Sequence, residues 1–151
     1  MRLPLILCGL FYCLQAAAGG LPAAGETRVL DYEQSILRYS AKDLDRSSGN
    51  KFLLFEIVKV INPRSIPLNF IVHYQKPGKE QLYLGSFALY PNNNPGRFIV
   101  ATQRMIDGEG EVVLSLSPTE PEIQMESVRL LVGPVRLIDQ LEPADSNHAQ
   151  P

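Results

Sequence analysis

The chain predicts an all-β protein: a single antiparallel β-sandwich of about seven to eight strands. Three observations carry that expectation. Short runs rich in Val, Ile, Leu, Phe and Tyr recur along the sequence. Clusters of Pro, Gly, Asn and Ser separate them, with 12 prolines and 11 glycines among 151 residues. No stretch shows the sustained 3.6-residue apolar spacing of a long helix.

The first residues read as an address rather than as structure. Met1-Arg2 is a short, weakly positive start, and the apolar run from Leu3 to Leu14 has the length of a signal-peptide core. Gln15-Ala16-Ala17-Ala18-Gly19 supplies small residues at the positions a signal peptidase reads, so cleavage is expected between Ala18 and Gly19. A membrane span needs roughly 20 apolar residues, and this run stops sooner, at Gly19-Gly20 and Pro22. The expectation is an exported chain, periplasmic or secreted, organised as signal peptide 1–18, flexible leader 19–26, β-sandwich domain 27–141 and disordered tail 142–151.

Both cysteines, Cys8 and Cys13, fall inside the leader peptide, and neither follows the small residues of a lipid-attachment site. The mature chain is expected to fold on its core without disulfides, although export would place it where they form. Charge is nearly balanced, 14 Lys+Arg against 16 Asp+Glu. No basic stripe interleaved with aromatics appears, which argues against nucleic acid.

Residues 27–32 form the first strand candidate. The spacing of Tyr32, Ser35, Ile36 and Tyr39 also fits a short helix, and 41–50 is polar and reads as a loop ending in Ser47-Ser48-Gly49-Asn50. Residues 52–61 are apolar on both faces, as in a central strand, and Pro63 and Pro67 interrupt the ladder beyond it. Leu68, Phe70, Val72 and Tyr74 alternate with Asn69, Ile71, His73 and Gln75, a half-buried strand. Lys76-Pro77-Gly78-Lys79 has the residues of a type II turn, joining that strand to 81–90 as a hairpin. Pro91-Asn92-Asn93-Asn94-Pro95-Gly96 is the densest turn cluster. Later strand candidates are 97–103, 111–117, 123–132 and 135–141.

Catalytic and metal chemistry find little support. His148 sits in the tail, and His73 reads as a solvated strand residue, because one imidazole makes no metal geometry. Gly85-Ser86-Phe87 lies in a strand pattern and lacks the nucleophile-elbow turn. Asp107-Gly108-Glu109-Gly110-Glu111 is a glycine-rich acidic connection without the spacing of a calcium loop. No cofactor, catalytic residue or metal ligand is assigned, and the chain is expected not to be an enzyme. Gly85 within a strand marks a bulge or a close approach; the expectation is that it makes room for a large aromatic from the facing sheet.

Several motifs occur in a telling order: Lys51-Phe52 opening a strand that ends at Asn62, then Leu84-Gly85-Ser86-Phe87 followed by Leu89-Tyr90-Pro91, then Leu114-Ser115-Leu116-Ser117-Pro118. Residues 51–132 thereby resemble the C-terminal β-sandwich domain of polyphenol oxidases, the tyrosinase and catechol oxidase group. Leu53-Leu54 stands where that family has Asp-Val, and Asn92 follows Pro91 where it has His. The copper-binding domain is missing, and two histidines fall short of the six that a type-3 copper centre needs. The resemblance implies a covering domain without oxidase activity, whose partner is a separately encoded exported oxidase or another protein. The candidate contact residues are Tyr83, Tyr90, Asn92, Asn93, Asn94 and Arg97, because sandwich loops at one end commonly carry recognition. The rival expectation is a small-ligand or glycan binder using the tyrosines and the Asn cluster.

Overall fold

A computed structural model describes residues 25–140. The signal segment with Cys8, Cys13 and the Ala18/Gly19 junction lies outside the described residues, as do most of the leader and the tail with His148. Ten strands are described and no helix: β1 (Arg28–Asp31), β2 (Ile36–Ser40), β3 (Asp45–Ser48), β4 (Phe52–Ile61), β5 (Leu68–Gln75), β6 (Leu82–Ala88), β7 (Gly96–Ala101), β8 (Glu111–Pro118), β9 (Arg129–Val132) and β10 (Arg136–Ile138).

They form two sheets. Sheet I holds β1, β3, β4, β7, β9 and β10, and sheet II runs β2-β8-β5-β6. β9 pairs with the end of β4 and β10 with its start, both antiparallel, so the two act as halves of one strand interrupted at Gly133-Pro134. β1 and β3 flank these halves on the outer side, β3 in the one parallel pairing described. Counted by position, each sheet is four strands wide. Successive positions alternate between sheets, except that β3 precedes β4 within sheet I and β5 and β6 form a hairpin within sheet II. That order is the jelly-roll form of the sandwich.

The all-β expectation holds, with differences in detail. The stretch 32–39 holds strand β2 and not a helix, because Leu37 and Tyr39 alternate into the core and pair with β8. The polar segment 41–50, expected as a loop, contains β3, which gains its ladder from β10 rather than from its own apolar content. Residues 123–128 are turns, closed by Ile123 N–H to Glu120 and Val128 N–H to Met125, so the expected strand over 123–132 begins only at Arg129. β7 stops at Ala101, since Gln103 and Arg104 take positive φ of 50° and 60°. Gly78 has φ +67° in the 76–79 turn, which Lys79 N–H closes onto the Lys76 carbonyl, as a type II turn requires.

The core lies between the sheets, from Leu53, Phe55 and Ile57 on β4 to Phe70 and Val72 on β5. Phe87 of β6 stacks on Phe70 at 4.7 Å and on Phe98 of β7 at 4.5 Å. Aromatic pairs of this kind contribute about 0.5–1.5 kcal/mol beyond the area they bury. The stack joins the β6 edge of sheet II to the β7 edge of sheet I, so the loop between these strands leaves from a fixed base. A Cβ on Gly85 would lie 3.0 Å from Val100 Cγ1. The close neighbour is therefore a valine of the facing sheet, and the expected aromatic is not there; the large rings pack two residues away, at Phe87. Gly85 also adjoins a bulge, since Val72 faces Gly85 while His73 faces Tyr83, leaving Leu84 extra.

Strand directions give the sandwich two ends. The loops 41–44, 49–51, 76–81 and 102–110 gather at one, here the upper end. The loops 32–35, 62–67, 89–95 and 119–128 gather at the lower end.

Candidate functional site

At the lower end, β4 runs into Asn62-Pro63, and β6 leaves the sheet toward Tyr90. Asn62 is buried at 5% exposure, and its amide is fully used. Its Oδ1 accepts from Ile66 N–H at 2.9 Å, and its Nδ2 donates to the carbonyls of Ile66 at 2.9 Å and Asn92 at 3.0 Å. Asn92 answers with a bond from its own Nδ2 to the Ser65 carbonyl at 2.9 Å. Asn94 N–H closes the turn onto Pro91, and the Tyr90–Pro91 peptide is cis. Two loops, each crossing from one sheet to the other, are thus tied by neutral amide bonds. Net, each such bond contributes about 1 kcal/mol, but breaking one that is buried costs more.

This frame presents Tyr90 at 96% exposure. Asn93 and Asn94 are exposed beside it, whereas Asn92 is half-buried by its work in the frame. Arg97, the second residue of β7, lies across from Glu56 with Nε 3.6 Å from Oε1, both half-exposed, a pairing of small energetic weight. Tyr83 sits near the start of β6, at the upper end, 58% exposed, with its hydroxyl 3.1 Å from Ser86 Oγ and its ring edge against His73. From Tyr83 to Ala88 alone the strand rises about 17 Å. Tyr90, the Asn cluster and Arg97 therefore share one end, and Tyr83 does not join them. His73 is half-buried, not freely solvated, and its Nδ1 is enclosed without a partner.

The upper end is built on charge. Tyr74, its ring buried on the core face of β5, donates its hydroxyl to Asp107 Oδ1 at 2.6 Å and also reaches the Glu109 carbonyl. The Lys76 ammonium bonds the other carboxylate oxygen of Asp107. Donors from Lys76 and Tyr74 hold the Asp107 carboxyl well below the usual carboxylate range. Burial, reinforced by Asp107, pushes the Tyr74 phenol up to about 12. The connection expected to be a plain acidic loop is thus a lock on β5. Gly110, at φ +91°, has no room for a Cβ, which would fall 2.2 Å from the Gln75 carbonyl oxygen. Among the described residues no three His, Cys, Asp or Glu side chains gather as a metal site.

Beside this lock lies an open groove of about 810 Å³ lined by Ser40, Lys42, Lys76, Pro77 and the 108–111 segment. A smaller one of about 350 Å³ lies between Tyr74, Lys79, Leu82 and Met105. Two more lie on the sheet I side of the molecule, around Arg129. None of these four is lined by Tyr83, Tyr90, Asn92, Asn93, Asn94 or Arg97.

Sequence reasoning missed Asn62, Tyr74, Asp107 and Lys76 as organising residues. Asn62 carried a signal, an asparagine at the end of a strand directly before proline, where its side chain replaces the lost ladder. The Tyr74–Asp107 contact spans 33 residues and leaves no local pattern. No protein-family model matches the chain, and no curated protein matches it.

Proposed function

We propose that this chain is an exported, non-catalytic interaction module that grips a partner protein with the lower-end loop, with Tyr90 as its anchor. The observation that carries the reading is the pairing of an almost fully exposed aromatic ring with a loop locked from beneath by Asn62 and Asn92. Such a ring brings a large contact area, and a pre-ordered loop loses little conformational freedom on binding. Asn93 and Asn94 supply neutral hydrogen-bonding groups at its rim, and Arg97 supplies a charge that its loose pairing with Glu56 leaves available. The resemblance to the covering domain of polyphenol oxidases supports a separately encoded exported oxidase as the partner. In this reading the chain covers the partner and contributes no catalytic group.

The test is affinity purification of the mature protein from its native host, with bound proteins identified by mass, run in parallel with Tyr90→Ala. The reading expects one partner recovered near stoichiometry with the native protein and lost with the variant. An exported oxidase identifies the specific form of the proposal. Recovery of no protein, or equal recovery by both, overturns it.

A further inference from the structure

A strand at the edge of a sheet leaves the N–H and carbonyl of every second residue open to another strand, and folds guard such edges with charge, proline, bulges or cover. Five strands of this sandwich are edges: β1, β3 and β7 in sheet I, β2 and β6 in sheet II. Three lie on one side and are guarded. β1 holds Arg28 and Asp31, and β3 holds Asp45 and Arg46. β2 holds Arg38, whose carbonyl accepts from Arg28 Nη1 at 2.7 Å. β6 and β7 form the other side. β6 has no charged side chain, but the bulge at Leu84 breaks its line.

β7 is the open edge. Its six residues stay in unbroken register with Phe52–Ile57 of β4, without proline or bulge. Its single charge, Arg97, sits across from Glu56. It pairs with β4 alone, and among the described residues no further backbone hydrogen bond reaches Arg97–Ala101. Its outward side chains are Arg97, Ile99 and Ala101, all exposed, with Ile99 at 42%.

We infer that β7 pairs antiparallel with β7 of a second copy of this chain, about a two-fold axis through Ile99. The strand's own sequence argues for that occupant. Opposed residues in a sheet share a face, and this axis sets outward Arg97 against outward Ala101 and inward Phe98 against inward Val100. Each Arg97 thus meets a methyl group and keeps its own Glu56 beside it. The two Arg97 positions stand four residues apart along the pair, about 13 Å, beyond the roughly 8 Å over which charge acts in physiological salt. An axis at Phe98 would bring them to about 7 Å. Ile99 meets Ile99 of the second copy, and Leu54, the register partner of Ile99, extends the apolar row on both sides. β6 lies over β7 through the Phe87–Phe98 stack and brings no charge to the junction. Because the axis reverses strand direction, the two Tyr90 loops lie at opposite ends of the pair and both stay free. The inference goes beyond the proposed function and does not rest on it.

Sedimentation velocity of the chain from Gly19 onward, at about 5 to about 500 µM, reads the expected mass-action shift from monomer to dimer. Ile99→Lys sets two ammonium groups directly opposite each other and should weaken association at least about tenfold. Ile36→Lys, the same change at a similarly exposed isoleucine of the guarded β2 edge, should associate as the native chain does. Urea denaturation confirms that both variants are folded. Beyond Cys13 the chain has no cysteine, so I99C should cross-link to itself through a short bismaleimide and I36C should not. The inference is overturned if the chain stays monomeric throughout, if I99K associates as the native chain does, if I36K loses as much, or if I36C cross-links as readily as I99C. Tyr90→Ala should leave association unchanged; loss of the dimer there would move the contact to the lower-end loop and overturn the pairing. A monomeric chain whose captured partner is lost in I99K gives the edge to a strand of that partner, which also overturns a second copy as the occupant.

Discussion

The two ends of the sandwich fasten their loops by different chemistry. At the lower end Asn62 and Asn92 tie 62–67 to 89–95 with uncharged amides. At the upper end Tyr74, Asp107 and Lys76 tie the 102–110 connection to β5 through a carboxylate. Amide bonds respond neither to pH nor strongly to salt, and a buried one is expensive to break. An exposed carboxylate lock responds to both. A loop that must present a ring in one fixed pose is better served by the first kind of fastening, which is where Tyr90 stands.

The largest effect that tests this contrast is expected from Asn62→Ala. It strands the buried N–H and carbonyl of Ile66 and releases Asn92, so about 2–4 kcal/mol of stability should be lost, with the same loss at every pH from acid to neutral. Urea midpoints across that range check it, and a loss that faded on acidification would make the two ends alike. Next, Tyr74→Phe should cost about 1–2 kcal/mol by removing hydrogen bonds to the Asp107 carboxylate and the Glu109 carbonyl.

Acid distinguishes the ends, because only the upper lock contains a carboxylate. The Asp107 carboxyl is held below its unfolded range, so its stabilisation is present above the ordinary carboxylate range and is lost as pH falls through the lower folded value. The stability gap between native protein and Asp107→Asn should therefore close as pH drops, and it should narrow in high salt. Alkali acts on the phenols. Tyr74 and Tyr39 are both raised to about 12, so the fold resists their ionisation and loses stability as pH rises from 10 to about 12. Tyr74→Phe should remove part of that alkaline loss, as read by fluorescence-detected unfolding.

Two other tyrosines should give smaller effects. The Tyr39 hydroxyl is buried without a partner under the Arg28 guanidinium, which lies 5.0 Å from its ring. Tyr39→Phe removes a polar group that has no bond to lose, so stability should stay level or rise by up to about 1 kcal/mol. Tyr90→Ala should change stability by less than about 0.5 kcal/mol, because its ring touches solvent, while abolishing partner capture. A large drop in melting temperature would recast Tyr90 as structural.

Much of the architecture was legible in local pattern. Period-two alternation marked β5 and gave both its ends, and the two-sided apolar run marked β4, because side-chain burial along a strand writes itself directly into sequence. β3 was not legible, since its stability comes from β10 about ninety residues later and not from its own Asp-Arg-Ser-Ser. Residues 123–128 misled for the opposite reason: Ile123, Met125 and Val128 look strand-like but reach the core from turns. The candidate loop could be placed by its asparagines, yet what holds it could not. Asn62 and Asn92 are 30 residues apart, and nothing in either neighbourhood points to the other. Tyr83 shows the same limit, since closeness in sequence to Tyr90 does not survive a strand's length.

The jelly-roll pairing also governs when this domain can exist. Arg28 pairs with Val132 and Ile36 with Ser115, so the first strands of both sheets close only against the last. Until the ribosome has released the chain beyond Pro118, sheet II is incomplete, and sheet I waits for β10 at Ile138. Such non-local pairing places folding in the slow range, milliseconds to seconds, because distant segments must meet before their contacts repay the lost freedom. Until nearly all of the domain has been made, its strand edges therefore stay open to chaperones and to mispairing.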